Sequence, residues 1–191
     1  MHGTDTMATG AGISGRGWRI AAWGTIAALL LTPLVAMRFT DQVNWTASDF
    51  VFAGLVFGSV GLGAQAALRF SRDMAYRAGC GLALLAAFLL VWINAAVGII
   101  GDEHNPLNLL YGGVLVVALA GTLFARLRPR GMAQAMATAA AAETLVAVVA
   151  MVGGRHAPPG LVGEALLNGF FVGLWSLSAA LFAKAGAEAA A

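Results

Sequence analysis

Long uncharged stretches alternate with short charged segments along the chain. Six stretches of 17 to 24 residues have this character, and only the fifth is interrupted, by Glu143: residues 20–37, 50–68, 78–101, 109–125, 131–154 and 165–183. A helix needs about 20 apolar residues to cross the hydrocarbon core of a bilayer, whereas a strand of a membrane barrel needs about ten. The pattern therefore predicts an all-α membrane protein with six transmembrane helices.

The same pattern divides the chain into parts. Residues 1–15 are rich in Gly, Thr and Ser, and we expect them to form a disordered cytoplasmic tail. Residues 16–185 are predicted to form a single six-helix transmembrane domain, and residues 186–191 a short C-terminal tail. Within the domain, consecutive helices form hairpins at about 18–70, 76–127 and 131–184.

The composition agrees with this class of protein and excludes an ordinary soluble domain. Hydrophobic residues make up 60% of the chain and charged residues only 10%, whereas about a quarter of the residues in a soluble domain are charged. The single cysteine, Cys80, has no partner for an internal disulfide and indicates no redox chemistry.

The basic residues lie mostly on one side of the predicted membrane. Nine of the eleven fall in the N-terminal flank, in alternate loops or in the C-terminal flank: Arg16, Arg19, Arg69, Arg72, Arg77, Arg126, Arg128, Arg130 and Lys184. Only Arg38 and Arg155 lie opposite, on the outer side, where we also expect Glu164, in the third outer loop. Cytoplasmic loops carry the excess of Lys and Arg, so the pattern predicts a multi-pass protein of the inner membrane with both termini in the cytoplasm. These charges are explained by topology, and we expect no nucleic-acid partner.

An acidic cluster, Asp102, Glu103 and His104, lies in the predicted outer loop between the third and fourth helices. The simpler interpretation is a solvated hairpin loop, which Asn105-Pro106 ends by forcing extended backbone. The alternative is a metal or proton site, with His156 from the third outer loop as a further ligand. Three adjacent residues cannot all point at one ion, so the sequence favours the loop and predicts no metal.

A short motif begins three of the predicted helices. It consists of Asp or Asn, two residues, an aromatic residue, one residue and glycine, and it recurs after 59 and then 60 residues. The copies are Asp49, Phe52 and Gly54; Asn108, Tyr111 and Gly113; and Asn168, Phe171 and Gly173.

Two explanations of this motif stay open. Each position has a local reason: Asp or Asn caps a helix, an aromatic residue sits at the headgroup level, and glycine lets a neighbouring helix approach. Three helices could therefore obey the same rules independently. The alternative is a triplicated two-helix hairpin related by a pseudo-threefold axis along the membrane normal. Under either explanation we expect Asp49, Asn108 and Asn168 to cap the outer ends of their helices.

Glu143 is the most informative single residue, because it lies near the middle of the fifth stretch. A charge at that depth costs at least about 2.5 kcal/mol, so we expect the side chain to face other helices. One hypothesis makes it a proton carrier or cation ligand, and the other a protonated carboxyl that hydrogen-bonds across helices. Its helical neighbours are small and suit close packing: Ala139, Ala140, Val146 and Ala147.

Other polar residues fall at similar depths but carry no charge. The candidates are Asn94, Thr32, Ser176 and Ser178. The three histidines are scattered, and no nucleophile-and-base, phosphate-loop or haem-ligand pattern occurs. The sequence therefore predicts neither an enzyme nor a bound cofactor.

The stretch from Trp92 to Gly101, WINAAVGIIG, followed by Glu103 and Asn105-Pro106, resembles small six-helix proteins of the bacterial inner membrane. The resemblance covers helices two to six. It implies a multi-pass bacterial inner-membrane protein, and it implies no activity, cofactor or site.

Two functional hypotheses follow. The first is an accessory or scaffold subunit of a membrane assembly, which the short loops and the Gly- and Ala-rich helices favour. Its partners are the lipid bilayer and other membrane subunits or a second copy of the chain. The alternative is a small-solute or ion transport module, coupled to protons, with Glu143 in its path.

Overall fold

The structure, a computed structural model, describes residues 15–102, 104–153 and 160–189. These ranges contain six α-helices and a short 3₁₀ helix at Pro106–Leu109: α1 Gly15–Ala36, α2 Ala47–Phe70, α3 Met74–Ala96, α4 Leu110–Ala125, α5 Pro129–Gly153 and α6 Gly160–Glu188. All six are long and apolar enough to cross a membrane. The prediction of an all-helical chain with six membrane-length helices is confirmed.

The boundaries differ from the predicted ones at both ends. Helix α6 continues to Glu188, so the first half of the predicted C-terminal tail, residues 186–188, extends this helix. Helix α1 already begins at Gly15, and the rest of the predicted N-terminal tail, residues 1–14, lies outside the described residues. The chain divides into two compact units, with the boundary between Gly61 and Leu62 inside α2.

In the first unit, side chains of α1 lie against α2 at Gly61. A Cβ added there would lie 2.9 Å from Ile26 Cδ1, so the end of the Ile26 side chain would have to move aside for a larger residue. Helix α2 begins directly after Thr46, whose backbone N–H and hydroxyl both donate to the Asp49 carboxylate, at 2.7 and 2.8 Å. Asp49 therefore stabilises the start of α2 from within its first turn, in the manner of half a capping box.

The second unit is built around α5 and α6. Helix α6 packs on α3 and α5, and α5 also packs on α4, whereas α3 and α4 have few mutual contacts. The contact of α6 with α3 is specific: Phe182 packs edge-on against Tyr76, with ring centroids 5.1 Å apart, and also lies against Gly79. One turn away, the Ser178 hydroxyl donates to the Gly79 carbonyl at 2.8 Å.

Short polar contacts set the ends of these helices. Asp73 caps α3 from an extended backbone, and its carboxylate accepts the Tyr76 N–H at 2.6 Å. Between α4 and α5 the chain turns through Arg126 and Leu127, both in the left-handed region, with φ of 49° and 60°. The Tyr76 hydroxyl donates to the Leu127 carbonyl at 2.8 Å, which ties this turn to α3.

Candidate functional site

The polar interior of the second unit lies where α4, α5 and α6 meet. Among the described residues, Glu143, Glu164 and Asn168 are each no more than 2% exposed, as are the neighbouring Tyr111 and Trp175. We refer to these five residues as the carboxyl cluster. Helix α4 supplies Tyr111, α5 supplies Glu143, and α6 supplies the other three.

The Asn168 amide links two helices of the cluster. Its Oδ1 accepts the Tyr111 hydroxyl at 3.0 Å, and its Nδ2 donates to the Glu164 backbone carbonyl at 2.8 Å. Both ends of the amide are therefore satisfied in an environment without bulk water. This arrangement fixes the position of the Tyr111 phenol against α6.

The two carboxyl groups approach the same phenol. Glu143 from α5 and Glu164 from α6 both lie close enough to Tyr111 to interact with it electrostatically. No Lys or Arg occurs in α4, and the basic residues of α5 and α6 within the described ranges are Arg130 and Lys184, close to the helix ends. A buried charge is costly unless it is paired, so the enclosed Glu143 carboxyl is a candidate for taking up a proton or a cation.

Glu143 has no hydrogen bond of ordinary geometry within the described part of the chain. The Trp175 indole nevertheless lies beside its carboxyl. Within the described residues, neither Glu143 oxygen nor Trp175 Nε1 has a hydrogen-bonding partner. The surrounding face of α5 is small and buried, as the sequence indicated: Ala139, Ala140, Val146 and Ala147. The carboxyl is enclosed, and among the described residues it forms no cross-helix hydrogen bond of ordinary geometry.

Glu164 lies in a different place from the one that the sequence indicated. It was expected in the third outer loop, but it lies inside the first turns of α6 and is 1% exposed. The loop prediction followed the run GGRHAPPG, which ends at residue 160. The missed signal was the spacing of Glu164, Asn168, Phe171 and Trp175, which places all four on one helical face.

The remaining intramembrane candidates lie elsewhere. Thr32 is exposed on α1, and its hydroxyl donates back to the Ala28 carbonyl at 2.9 Å. Ser176 follows Trp175 but is exposed on α6. Asn94 lies in the last turn of α3, where its buried Oδ1 has no partner among the described residues. None of the three is hydrogen-bonded to the carboxyl cluster in the described part of the chain.

The three predicted cap residues have three different roles. Asp49 does stabilise the start of α2, as described above. Asn108 instead holds the preceding loop: its Oδ1 accepts the Ile99 and Ile100 N–H groups at 3.2 and 2.9 Å, and its Nδ2 donates to the Asp102 carbonyl at 2.7 Å. Asn168 is no cap, because it lies well inside α6 and its side chain is committed to the cluster.

A hydrogen bond between a side chain and the backbone within the acidic loop helps to fix its conformation. Asp102 and His104 are exposed, and the Asp102 carboxylate accepts the His104 backbone N–H at 2.9 Å. Glu103 and His156 lie outside the described residues. Across the part of the chain that is described, no group of three His, Cys, Asp or Glu residues is placed to hold a metal ion.

Comparison with known proteins found no matching family model, no similar curated protein and no similar solved structure. The functional argument therefore depends on the carboxyl cluster and on the membrane-length helices that enclose it.

Proposed function

We propose that the chain is an ion-conducting module of the bacterial inner membrane that passes protons by way of Glu143. The observation that carries this proposal is the enclosed Glu143 carboxyl, which has no hydrogen-bonding partner among the described residues. An ionisable group inside a membrane is expensive and usually marks a site of proton or ion passage.

The second acid and the phenol supply the chemistry that such a site needs. Glu143 takes up and releases the proton, and the buried Glu164 carboxyl lies near the same phenol. The bond from Tyr111 to Asn168 holds the phenol beside both carboxyls at a fixed position. Transfer between groups needs donors and acceptors within hydrogen-bonding reach, directly or through one water molecule.

Reconstitution into liposomes tests this proposal. The purified chain is sealed into vesicles that contain a pH-sensitive dye, and an inside-negative potassium potential drives proton entry. We expect acidification faster than in protein-free vesicles, with the same rate for the control Glu188→Gln, since Glu188 is an exposed acid on the same helix as Glu164. Acidification no faster than in protein-free vesicles would contradict the proposal.

An accessory subunit is the second candidate, and close helix packing favours it. A Cβ added at Gly121 of α4 would lie 2.7 Å from Ala135 Cβ of α5, and one added at Gly131 would lie 2.8 Å from Ala125 Cβ. Small residues that bring backbones together are typical of helix association in lipid. If the vesicles show no proton entry and a second membrane protein co-purifies with the chain in mild detergent, this candidate is preferred.

The orientation belongs to the same proposal. Nine of eleven basic residues lie on one predicted side, which supports a cytoplasmic location for both termini. Three hairpins around an axis normal to the membrane, as the motif spacing of 59 and 60 residues predicts, would give each hairpin this same orientation.

A further inference from the structure

A cleft of about 770 Å³ lies where the α4–α5 turn meets the C-terminal end of α6. Its lining includes two arginines, two polar side chains of α5 and an aromatic side chain of α4: Arg128, Arg130, Gln134, Thr138 and Phe124. The cleft lies at the ends of these helices, whereas Glu143 lies near the middle of α5, so the cleft is independent of the proton path proposed above.

The cleft is positively charged. Arg128 and Arg130 are exposed, and neither forms an ion pair within the described ranges. The ion pair nearby joins Lys184 to Glu188, one turn apart on α6. The N-terminus of α5 adds to this charge because Pro129 is its first residue. The amide hydrogens of Arg130 and Gly131 belong to that first turn, which has no acceptor within the helix and carries the positive end of its dipole.

The cleft also has an apolar side. Phe124 of α4 is 88% exposed, although it lies in a helix apolar enough to cross a membrane. Gln134 and Thr138, about one and two turns into α5, are exposed as well. Because Gly121 lies against Ala135 and Ala125 against Gly131, Phe124 is level with the first turn of α5, and its exposed ring lies beside the arginine end of the cleft. The cleft therefore places a positive charge and an apolar surface side by side, as a phospholipid needs where its phosphate joins its acyl chains.

Helix α6 closes the charged end of the cleft. A Cβ added at Gly186 would lie 3.1 Å from Arg130 Cγ and 3.6 Å from Pro129 Cβ, so α6 passes directly against the start of α5. This contact positions the stem of Arg130, and the guanidinium is left exposed at the cleft.

We propose that this cleft binds an anionic phospholipid, with the phosphate on Arg128, Arg130 and the N-terminus of α5 and an acyl chain along Phe124. Arginine and a helix N-terminus are both suited to phosphate oxygens. Basic pockets between transmembrane helices bind anionic headgroups. The exposed apolar wall distinguishes a lipid from a free anion, because a soluble phosphate gains nothing from contact with it.

Lipid competition tests the proposal. The full chain is purified in mild detergent and incubated with equal amounts of phosphatidylglycerol and phosphatidylcholine, and the lipids retained on the folded protein are counted by native mass spectrometry. We expect a preference for phosphatidylglycerol that falls about 30-fold in Arg128→Gln/Arg130→Gln, since each basic side chain near the surface is worth about fivefold. Arg69→Gln/Arg72→Gln, which removes two exposed arginines outside the cleft, keeps the preference.

Three results would overturn the proposal: no preference in the native chain, an unchanged preference in Arg128→Gln/Arg130→Gln, or an equal loss in the control. Soluble glycerol phosphate is added in a second arm, and displacement of the lipid at similar concentrations would mean a site for free anions. If the double variant does not purify as a folded protein, Arg130→Gln alone is used, and it must still weaken the preference about fivefold.

Discussion

At the scale of single residues, the two buried acids were unequally visible in the sequence. Glu143 interrupts an otherwise uncharged stretch of membrane length, so its depth and burial follow from position alone. Glu164 follows a proline- and glycine-rich segment, and the sequence assigned it to that segment. The burial of Glu164 depends on where α6 begins and on which helices pack against the first turns of α6. The hydropathy of the sequence predicts neither.

Substitution of Glu143 by leucine separates a structural carboxyl from a functional one. A cross-helix hydrogen bond in a membrane is worth about 0.6 kcal/mol on average, so a structural Glu143 would lose stability on becoming Leu. Among the described residues the carboxyl has no hydrogen bond to lose, and an apolar side chain of similar size avoids the cost of burying a polar group. We therefore expect Glu143→Leu to match or exceed the native free energy of unfolding, and Glu143→Gln to change it little.

Denaturant titration in mixed micelles measures this free energy, and Asn168→Leu is the matched control. Asn168 forms two recorded hydrogen bonds, so its replacement is expected to cost about 1 kcal/mol. A loss in Glu143→Leu as large as the loss in Asn168→Leu would assign Glu143 to the packing of the helices.

At the scale of the helices, the lengths follow from the sequence and the contacts do not. Lipid is as apolar as a protein core, so the lipid-facing and buried sides of a membrane helix have similar composition. The glycines show why helix contacts are hard to predict from the sequence. The motif glycines Gly54, Gly113 and Gly173 have nothing within 4 Å of an added Cβ among the described residues, while Gly121 and Gly131, outside the motif, lie at tight contacts. The triplicated hairpin therefore stays a prediction from spacing.

Two alanine substitutions in α4 test which glycine brings the helices together. At Gly121 an added Cβ would lie 2.7 Å from Ala135 Cβ and 3.1 Å from Ala135 Cα, so the helices must separate. Overpacking of this kind costs about 1–3 kcal/mol. Gly113→Ala is the control, and it is expected to be neutral or slightly stabilising, because an added methyl group meets nothing there. Equal free energies of unfolding for the two variants in the same micelle titration would contradict the close contact of α4 with α5 at Gly121.

At the scale of the whole molecule, the distribution of charge predicts how the chain is oriented in a membrane. Basic residues fall almost entirely in alternate loops and flanks. Reporter fusions after Arg72, Asn105, Arg130 and Arg155 are expected to report cytoplasm, outside, cytoplasm and outside in turn. If two successive fusions report the same side, the orientation and the number of crossings are both wrong.

Proton entry into vesicles that contain Glu143→Gln decides whether the enclosed carboxyl carries protons. Glutamine keeps the size of the side chain, but its amide does not take up or release a proton near neutral pH. The fold is therefore retained, while the proton-carrying group is lost. With the same amount of folded protein in each preparation, we expect Glu143→Gln vesicles to acidify no faster than protein-free vesicles, and Glu188→Gln vesicles to match the native chain. Native rates in Glu143→Gln would contradict a proton path through Glu143.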